Sequence, residues 1–149
     1  MNPYARFALM IATSTVVMYG LTYLNTYEID HVFFSWTRVF MALIMGSVMA
    51  VIMLGFMLHM YTSRAANIGV VAVAIVVFAS ALWLVRSQTT IDDVDYMSAM
   101  IPHHSIAILT SRNAQITDPR VRELADGIIE AQVKEIGEMK ALIADLEKN

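Results

Sequence analysis

The chain has 149 residues, of which 58% are hydrophobic and only 15% charged, and its formal net charge is −3. Soluble globular domains usually contain about 25% charged residues, so this composition argues against an ordinary water-soluble enzyme. The chain has no cysteine, which excludes disulfide bonds, thiolate metal sites and cysteine nucleophiles.

The charges divide the chain into two parts. Residues 1–86 hold two acidic and four basic residues, whereas residues 87–149 hold 11 acidic and six basic residues, a net charge of −5. We therefore predict a membrane domain at 1–86 and a water-facing acidic module at 87–149. An acidic module lacks the basic face that phosphate binding requires, so nucleic acid is not an expected partner.

Three apolar runs occupy the first part, at residues 5–23, 39–60 and 68–85, and Arg6, near the start of the first run, is the only Asp, Glu, Lys or Arg within them. Each is close to the length of about 20 residues that a helix needs to cross the hydrocarbon core of a bilayer. The sequence thus predicts three transmembrane helices, with the lipid bilayer as a partner. Three spans place the loop at 24–38 and the C-terminal module on the same side of the membrane. The basic residues flank both sides equally and do not fix the orientation.

The sequence of the C-terminal module predicts two helices. Thr90 followed by Asp93 indicates a capping box at the start of the first helix. Asp118 followed by Pro119 is typical of the start of the second. The apolar residues of the second helix recur every three or four positions, and the resulting stripe needs another surface to cover it. Pairing of two hairpins into a four-helix bundle is the simplest solution, so we expect a homo-oligomer.

The segment around His103 and His104 is the strongest candidate for chemistry. Met97 and Met100 precede the two histidines by one to two helical turns, and Pro102 favours a kink there. A thioether beside an imidazole suits Cu(I), whereas imidazole alone suits Zn, Cu, Fe or Ni. The alternative is a surface histidine pair with the two methionines filling the core.

The second helix carries Gln132, Glu135 and Met139 on one face. Gln132 lies within the apolar stripe, where its amide needs a partner. The three residues are therefore candidates to complete a site opposite the histidine pair. The alternative is that Gln132 fixes the register of a bundle, Glu135 is a solvated charge and Met139 belongs to the core.

A longer pattern combines these residues. It reads Met-x-x-Met-Ile-Pro-His-His from Met97, Asp-Pro-x-Val-x-x-Leu-Ala from Asp118, and Ile-Ile-x-x-Gln-x-x-Glu-Ile-x-x-Met from Ile128. The combination resembles the bacterial family catalogued as domain of unknown function 305, over about residues 90–146. That family is helical and ferritin-like, is commonly exported or membrane-anchored, and includes periplasmic copper-binding members. Its fuller members carry two hairpins per chain, which favours pairing of this single hairpin between chains.

The resemblance covers only the C-terminal module, for which it implies a ferritin-like hairpin. Together with the three transmembrane helices predicted from the apolar runs, this gives an all-α, multi-pass protein, which we expect in a bacterial inner membrane with its C-terminal module in the periplasm. By position it points to seven metal-site residues, namely Met97, Met100, His103, His104, Gln132, Glu135 and Met139.

Two further patterns are open to a metal-binding interpretation. A row of five methionines repeats every fourth residue of the second apolar run, at Met41, Met45, Met49, Met53 and Met57. The row is either a soft-metal ladder or packing beside the small residues Ala42, Gly46 and Ala50, and the small-residue seam favours packing. Glu28, Asp30 and His31, in the first loop, are either accessory ligands or an ordinary polar loop.

We therefore expect a membrane-anchored copper-binding protein, with Cu(I) favoured over other transition metals. It would sequester the ion or exchange it with a donor or acceptor protein. The sequence shows no nucleophile–base pair, phosphate loop or Glu-x-x-His pattern of a di-iron oxidase, so binding is favoured over catalysis. The alternative is a structural membrane-anchored oligomerisation module without metal.

Overall fold

The computed structural model describes residues 2–148, and all of the regular structure in that range is helical. The five α-helices are α1 (Pro3–Leu21), α2 (Trp36–Phe56), α3 (Arg64–Ser87), α4 (Asp93–Asn113) and α5 (Pro119–Leu146). Two short 3-10 helices, Ile29–His31 and Leu58–Met60, follow α1 and α2. The predicted all-α class is confirmed.

The first three helices are long and apolar enough to cross a membrane. They contain 19, 21 and 24 residues. At about 1.5 Å per residue, these lengths match a hydrocarbon core about 30 Å thick. Local capping sets two of the starts, since the Asn2 side chain accepts from the Tyr4 amide and the Ser63 hydroxyl accepts from the Ala66 amide. The predicted association with a membrane therefore agrees with the structure.

The described chain forms two compact units, and each unit is built from two separate segments of the sequence. The first unit runs up to Thr22 and continues with Thr37–Thr90. The second combines Tyr23–Trp36 with the residues from Ile91 onwards. The loop between α1 and α2 therefore packs with the C-terminal hairpin rather than with the apolar helices.

A seam of small residues organises α2 in the first unit. Ala42, Gly46 and Ala50 are buried one turn apart. A Cβ atom added at Gly46 would overlap the Oγ1 atom of Thr15 on α1, which donates a hydrogen bond of 2.8 Å to the Ile11 carbonyl. Close approach of the two helices therefore depends on the missing side chain, as in small-residue packing within membranes.

The methionine row lies beside this seam and winds around the helix. Met41 and Met45 are 46% and 39% exposed, whereas the three later members are half-buried. A row that begins on the outer surface of the unit does not line one continuous interior path. The arrangement favours packing over a metal ladder.

We predict that Gly46→Ala destabilises the first unit by about 1–3 kcal/mol, the usual cost of overpacking a tight contact. Gly55→Ala is the matched control on the same helix, because a Cβ at Gly55 meets nothing within 4 Å. Thermal unfolding in detergent micelles measures both variants. An equal effect of the two substitutions would contradict the proposed α1–α2 contact.

The second unit is built around the hairpin of α4 and α5. Its buried apolar cluster consists of Met97, Ile101, Ile108, Ile136 and Ile143. Tyr27 and Phe33, from the loop between α1 and α2, pack against this cluster. The loop thus covers part of the apolar surface that two helices alone would leave open.

The two helices of the hairpin begin at acidic caps. The predicted cap at Thr90 is wrong, because α4 begins one residue after Asp92, whose carboxylate accepts the Asp95 amide at 2.8 Å. The predicted start of α5 is confirmed, since Asp118 caps it and Pro119 is its first residue. Hydrogen bonds from the side chain and backbone of Arg120 hold the pKa of Asp118 below its usual value of 3.8.

The lowered pKa means that Asp118 stabilises the fold above its unfolded pKa and that this contribution is lost as pH falls through the lower folded pKa. We predict that Asp118→Asn keeps the cap near neutral pH, because asparagine caps helices equally well. Below about pH 4 the wild type loses protection in the first turn of α5, whereas the variant does not change. Hydrogen exchange of this turn, compared between the two proteins at each pH, measures the difference. Parallel loss of protection in both would contradict the assignment.

Candidate metal centre

His104 is held by hydrogen bonds at both of its ring nitrogens. Its side chain is 12% exposed. The Nδ1 atom lies 2.9 Å from the carbonyl oxygen of Met100, one turn earlier on α4. Because a carbonyl only accepts, Nδ1 carries the proton of this hydrogen bond. The bond fixes the ring so that Nε2 points to Glu135 on α5, with 2.7 Å between Nε2 and Oε2.

Glu135 joins the two helices at this point. Its side chain is 48% exposed, and its Oε2 atom also accepts from Nε2 of Gln132 at 3.4 Å. The contact therefore brings an imidazole, a carboxylate and an amide together across the hairpin. An imidazole oriented through Nδ1, with Nε2 facing another donor, is the usual arrangement of a histidine ligand in a metal site.

His103 lies beside this group but faces a different direction. His103 is exposed, and its ring centroid lies 6.0 Å from that of His104, with an angle of 64° between the two ring planes. Neighbouring residues on an α-helix point about 100° apart, which explains the divergence. A rotation of the exposed His103 side chain would be needed for both rings to bind one ion.

The three methionines of the predicted site occupy different environments. Met97 is 7% exposed and belongs to the buried apolar cluster, and Met139 packs against that cluster. Met100 is half-buried and orients His104 through its backbone carbonyl. Of the seven predicted residues, the structure therefore joins His104, Gln132 and Glu135 by side-chain contacts, with His103 and Met100 adjacent. It places Met97 in the buried apolar cluster and Met139, half-buried, against that cluster.

Ser105, the residue after the histidine pair, anchors the loop between α1 and α2. Its side chain is completely buried. Its hydroxyl accepts the Tyr27 amide at 2.7 Å and lies 2.9 Å from Nδ1 of His31. Arg112 adds a second link, because its guanidinium donates to the Tyr27 hydroxyl and lies over the Tyr27 ring, 4.7 Å from the centroid.

Asp30 fixes the other end of the loop to α5. Its Oδ2 atom accepts a hydrogen bond of 2.7 Å from Lys140. This bond, aided by the positive charge of the ammonium group, holds the pKa of the Asp30 carboxyl below its usual value. These loop contacts could not be predicted from local sequence patterns, because the partners are 74–110 positions apart.

Residues 87–149, which carry the histidine pair and both helices of the hairpin, match the family model described as a domain of unknown function (DUF305). An uncharacterized protein, L153, of Acanthamoeba polyphaga mimivirus is 34% identical over 102 residues, covering 64% of this chain and 67% of the relative. The chain belongs to the DUF305 family. The match to the viral relative is longer than the hairpin module alone, so the likeness extends into the preceding residues. No solved structure matches the chain.

We predict that Ser105→Ala releases the loop from the hairpin. The substitution leaves the Tyr27 amide without its acceptor and removes the partner of His31, at a cost of about 1–3 kcal/mol. Hydrogen exchange across residues 27–33 should become faster, whereas exchange in the apolar cluster should change little. Ser111→Ala is the control on the same helix, since the backbone carbonyl of Ser111 is the acceptor for Arg122. Unchanged exchange in Ser105→Ala would contradict the anchoring role.

Proposed function

We propose that the protein is a membrane-anchored transition-metal-binding protein that holds copper at the histidine pair of α4. The observation that carries the proposal is the orientation of His104. Its Nδ1 is committed to the Met100 carbonyl, and its Nε2 is directed to the carboxylate of Glu135. The preformed geometry gives Nε2 a fixed direction toward an incoming ion.

The donor types that α4 carries next to His104 support copper. His103 and His104 supply imidazoles, and the half-buried Met100 supplies a thioether one turn earlier on the same helix. Imidazole and thioether together suit Cu(I) better than they suit the hard cations. Nε2 and the Glu135 carboxylate share a proton in their hydrogen bond, so metal binding at Nε2 releases that proton. The pair must then open, or Glu135 must become a further ligand. Gln132 positions the carboxylate through its hydrogen bond.

The absence of a recognised reaction centre in the sequence favours storage or transfer over catalysis. In this proposal the protein lies in a bacterial inner membrane, and the hairpin and the first loop face the periplasm. There they receive copper from a donor protein or deliver it to an acceptor. The ferritin-like character of the hairpin, as implied by the family resemblance, is part of the same proposal.

A copper titration of the full chain in detergent micelles, under anaerobic reducing conditions, tests the proposal. We predict saturable Cu(I) binding that His103→Ala/His104→Ala weakens by more than about tenfold, because the substitution removes both imidazoles. Met100→Leu should weaken binding to a smaller extent, because it removes one thioether while keeping the apolar volume.

His59→Ala is the matched control for this titration. His59 is exposed in the short helix after α2 and belongs to the first unit, so its loss should leave Cu(I) affinity unchanged. If the double histidine variant binds Cu(I) as tightly as the wild type, the proposed site is wrong. If His59→Ala alone abolishes binding, copper binds elsewhere.

A second candidate function, oligomerisation, is favoured by an uncovered apolar row on α5. Val121, Leu124, Leu142 and Leu146 are 45–65% exposed and lie at spacings of three, four or multiples that share one face. Gln132 and Glu135 lie on the same face. A second copy that covers this row would form a four-helix bundle and place the metal centre at its interface. The row therefore supports a homo-oligomer with or without metal.

The absence of cysteine allows a direct test of the pairing. We predict that Leu124→Cys, alone or mixed with Leu142→Cys, forms a disulfide-linked dimer of the full chain on mild oxidation. In a two-fold pairing of the row, a position meets its own copy near the axis or a position toward the other end of the row. Lys134→Cys is the control, since its side chain is 77% exposed and lies away from the row. Equal crosslinking at both positions would indicate random collision. Crosslinking that persists with a chelator would favour assembly independent of metal.

A further inference from the structure

The loop between α1 and α2 carries a cluster of metal-ligating side chains that the proposed copper site does not use. Glu28, Asp30 and His31 each offer a ligand atom, and these atoms lie within 4.8 Å of one another. Two of the residues are exposed acids, but His31 is a buried imidazole with its side chain only 9% exposed. A buried imidazole that faces two carboxylates distinguishes this cluster from an ordinary acidic surface.

His31 is fixed from behind in the way that histidine ligands are. Its Nδ1 lies 2.9 Å from the buried hydroxyl of Ser105, which also accepts the Tyr27 amide. The serine oxygen has two lone pairs, so it can also accept a hydrogen bond from Nδ1–H, and in that tautomer Nε2 keeps a free lone pair. Such an outer hydrogen bond orients a ligand ring and raises the basicity of its free nitrogen.

The free nitrogen of His31 faces carboxylate oxygens at distances unsuited to a hydrogen bond. Nε2 lies 3.7 Å from Oδ1 of Asp30 and 3.9 Å from Oε2 of Glu28. Two ligands of a tetrahedral Zn²⁺, each about 2.0–2.2 Å from the ion, are about 3.3–3.6 Å apart. The observed separations are slightly wider than this range. Small rotations of the exposed Glu28 and Asp30 side chains would close them around an ion.

Lys140 supports this arrangement by binding the oxygen of Asp30 that does not face His31. Its Nζ lies 2.7 Å from Oδ2, which leaves Oδ1 directed toward Nε2. The contact also joins the loop to α5. Lys140 thus positions one carboxylate, and an ion bound between Asp30 and His31 would add a link between the loop and the hairpin.

We propose that Glu28, Asp30 and His31 form a second metal site, specific for a borderline divalent cation such as Zn²⁺. One imidazole and two carboxylates are nitrogen and oxygen donors without sulfur, which suits a divalent ion better than Cu(I). The ion strengthens docking of the loop between the first two apolar helices onto the hairpin. This site is independent of the histidine pair, because it uses other ligands and prefers another metal.

Zn²⁺ titration of the full chain in detergent micelles, in a His103→Ala/His104→Ala background, tests the proposal. The background removes the other imidazoles of the second unit. We expect one saturable Zn²⁺ site, weakened more than about tenfold by Glu28→Gln. Glu28 is suited to this test because its side chain is 55% exposed, so the substitution should not disturb folding. His31→Gln should abolish binding, and His59→Gln, the remaining histidine, should leave it unchanged.

Hydrogen exchange provides a second readout that does not depend on affinity. Zn²⁺ should slow exchange across residues 27–33 in the background protein and have no such effect after Glu28→Gln. Zn²⁺ binding that survives both Glu28→Gln and His31→Gln, or no binding in the background protein, would overturn the proposal. If either of these results is accompanied by saturable Cu(I) binding in the wild type, only the Zn²⁺ site is wrong and the proposed copper site is unaffected.

Discussion

One turn of α4 contacts both α5 and the loop between α1 and α2, which together with α4 make up the second unit. The hydroxyl of Ser105 makes the central contact of this turn with the loop. The hydroxyl is completely buried and meets both the Tyr27 amide and the His31 ring. Because successive residues of a helix point about 100° apart, neighbouring side chains reach different partners. Ile101 enters the apolar cluster, His104 reaches Glu135 on α5, and Ser105 holds the loop.

This geometry links the candidate metal chemistry to the packing of the fold. The ring of His104 is directed by a backbone carbonyl of the same helix, so its orientation persists as long as α4 is intact. His31 depends instead on the docking of a loop that begins and ends at apolar helices. An ion bound at either position would stabilise a different contact, the hairpin for His104 and the loop for His31.

Much of the architecture could be predicted from local sequence. The three apolar runs predicted the three apolar helices, and the Asp118–Pro119 pair predicted the start of α5, because length, hydropathy and capping are local properties. The predicted start of α4 is wrong because several polar residues that can cap a helix precede it. Asp92, immediately before the first helical residue, is the N-cap instead of Thr90.

The candidate site was only partly predictable. The histidine pair and the facing Gln132 and Glu135 follow from helical spacing once a hairpin is assumed. The different environments of the methionines could not be predicted, because helical spacing does not distinguish a methionine in the apolar core from one beside the candidate metal centre. The Ser105 contacts join residues far apart in sequence, and serine beside two histidines gives no signal of its own.

X-ray absorption spectroscopy at the copper edge, on the full chain loaded with one equivalent of Cu(I), tests the central claim most directly. The account predicts scattering from imidazole rings together with sulfur, and loss of the imidazole signal in His103→Ala/His104→Ala. A wild-type spectrum without imidazole scattering, or one that the double substitution leaves unchanged, would contradict it.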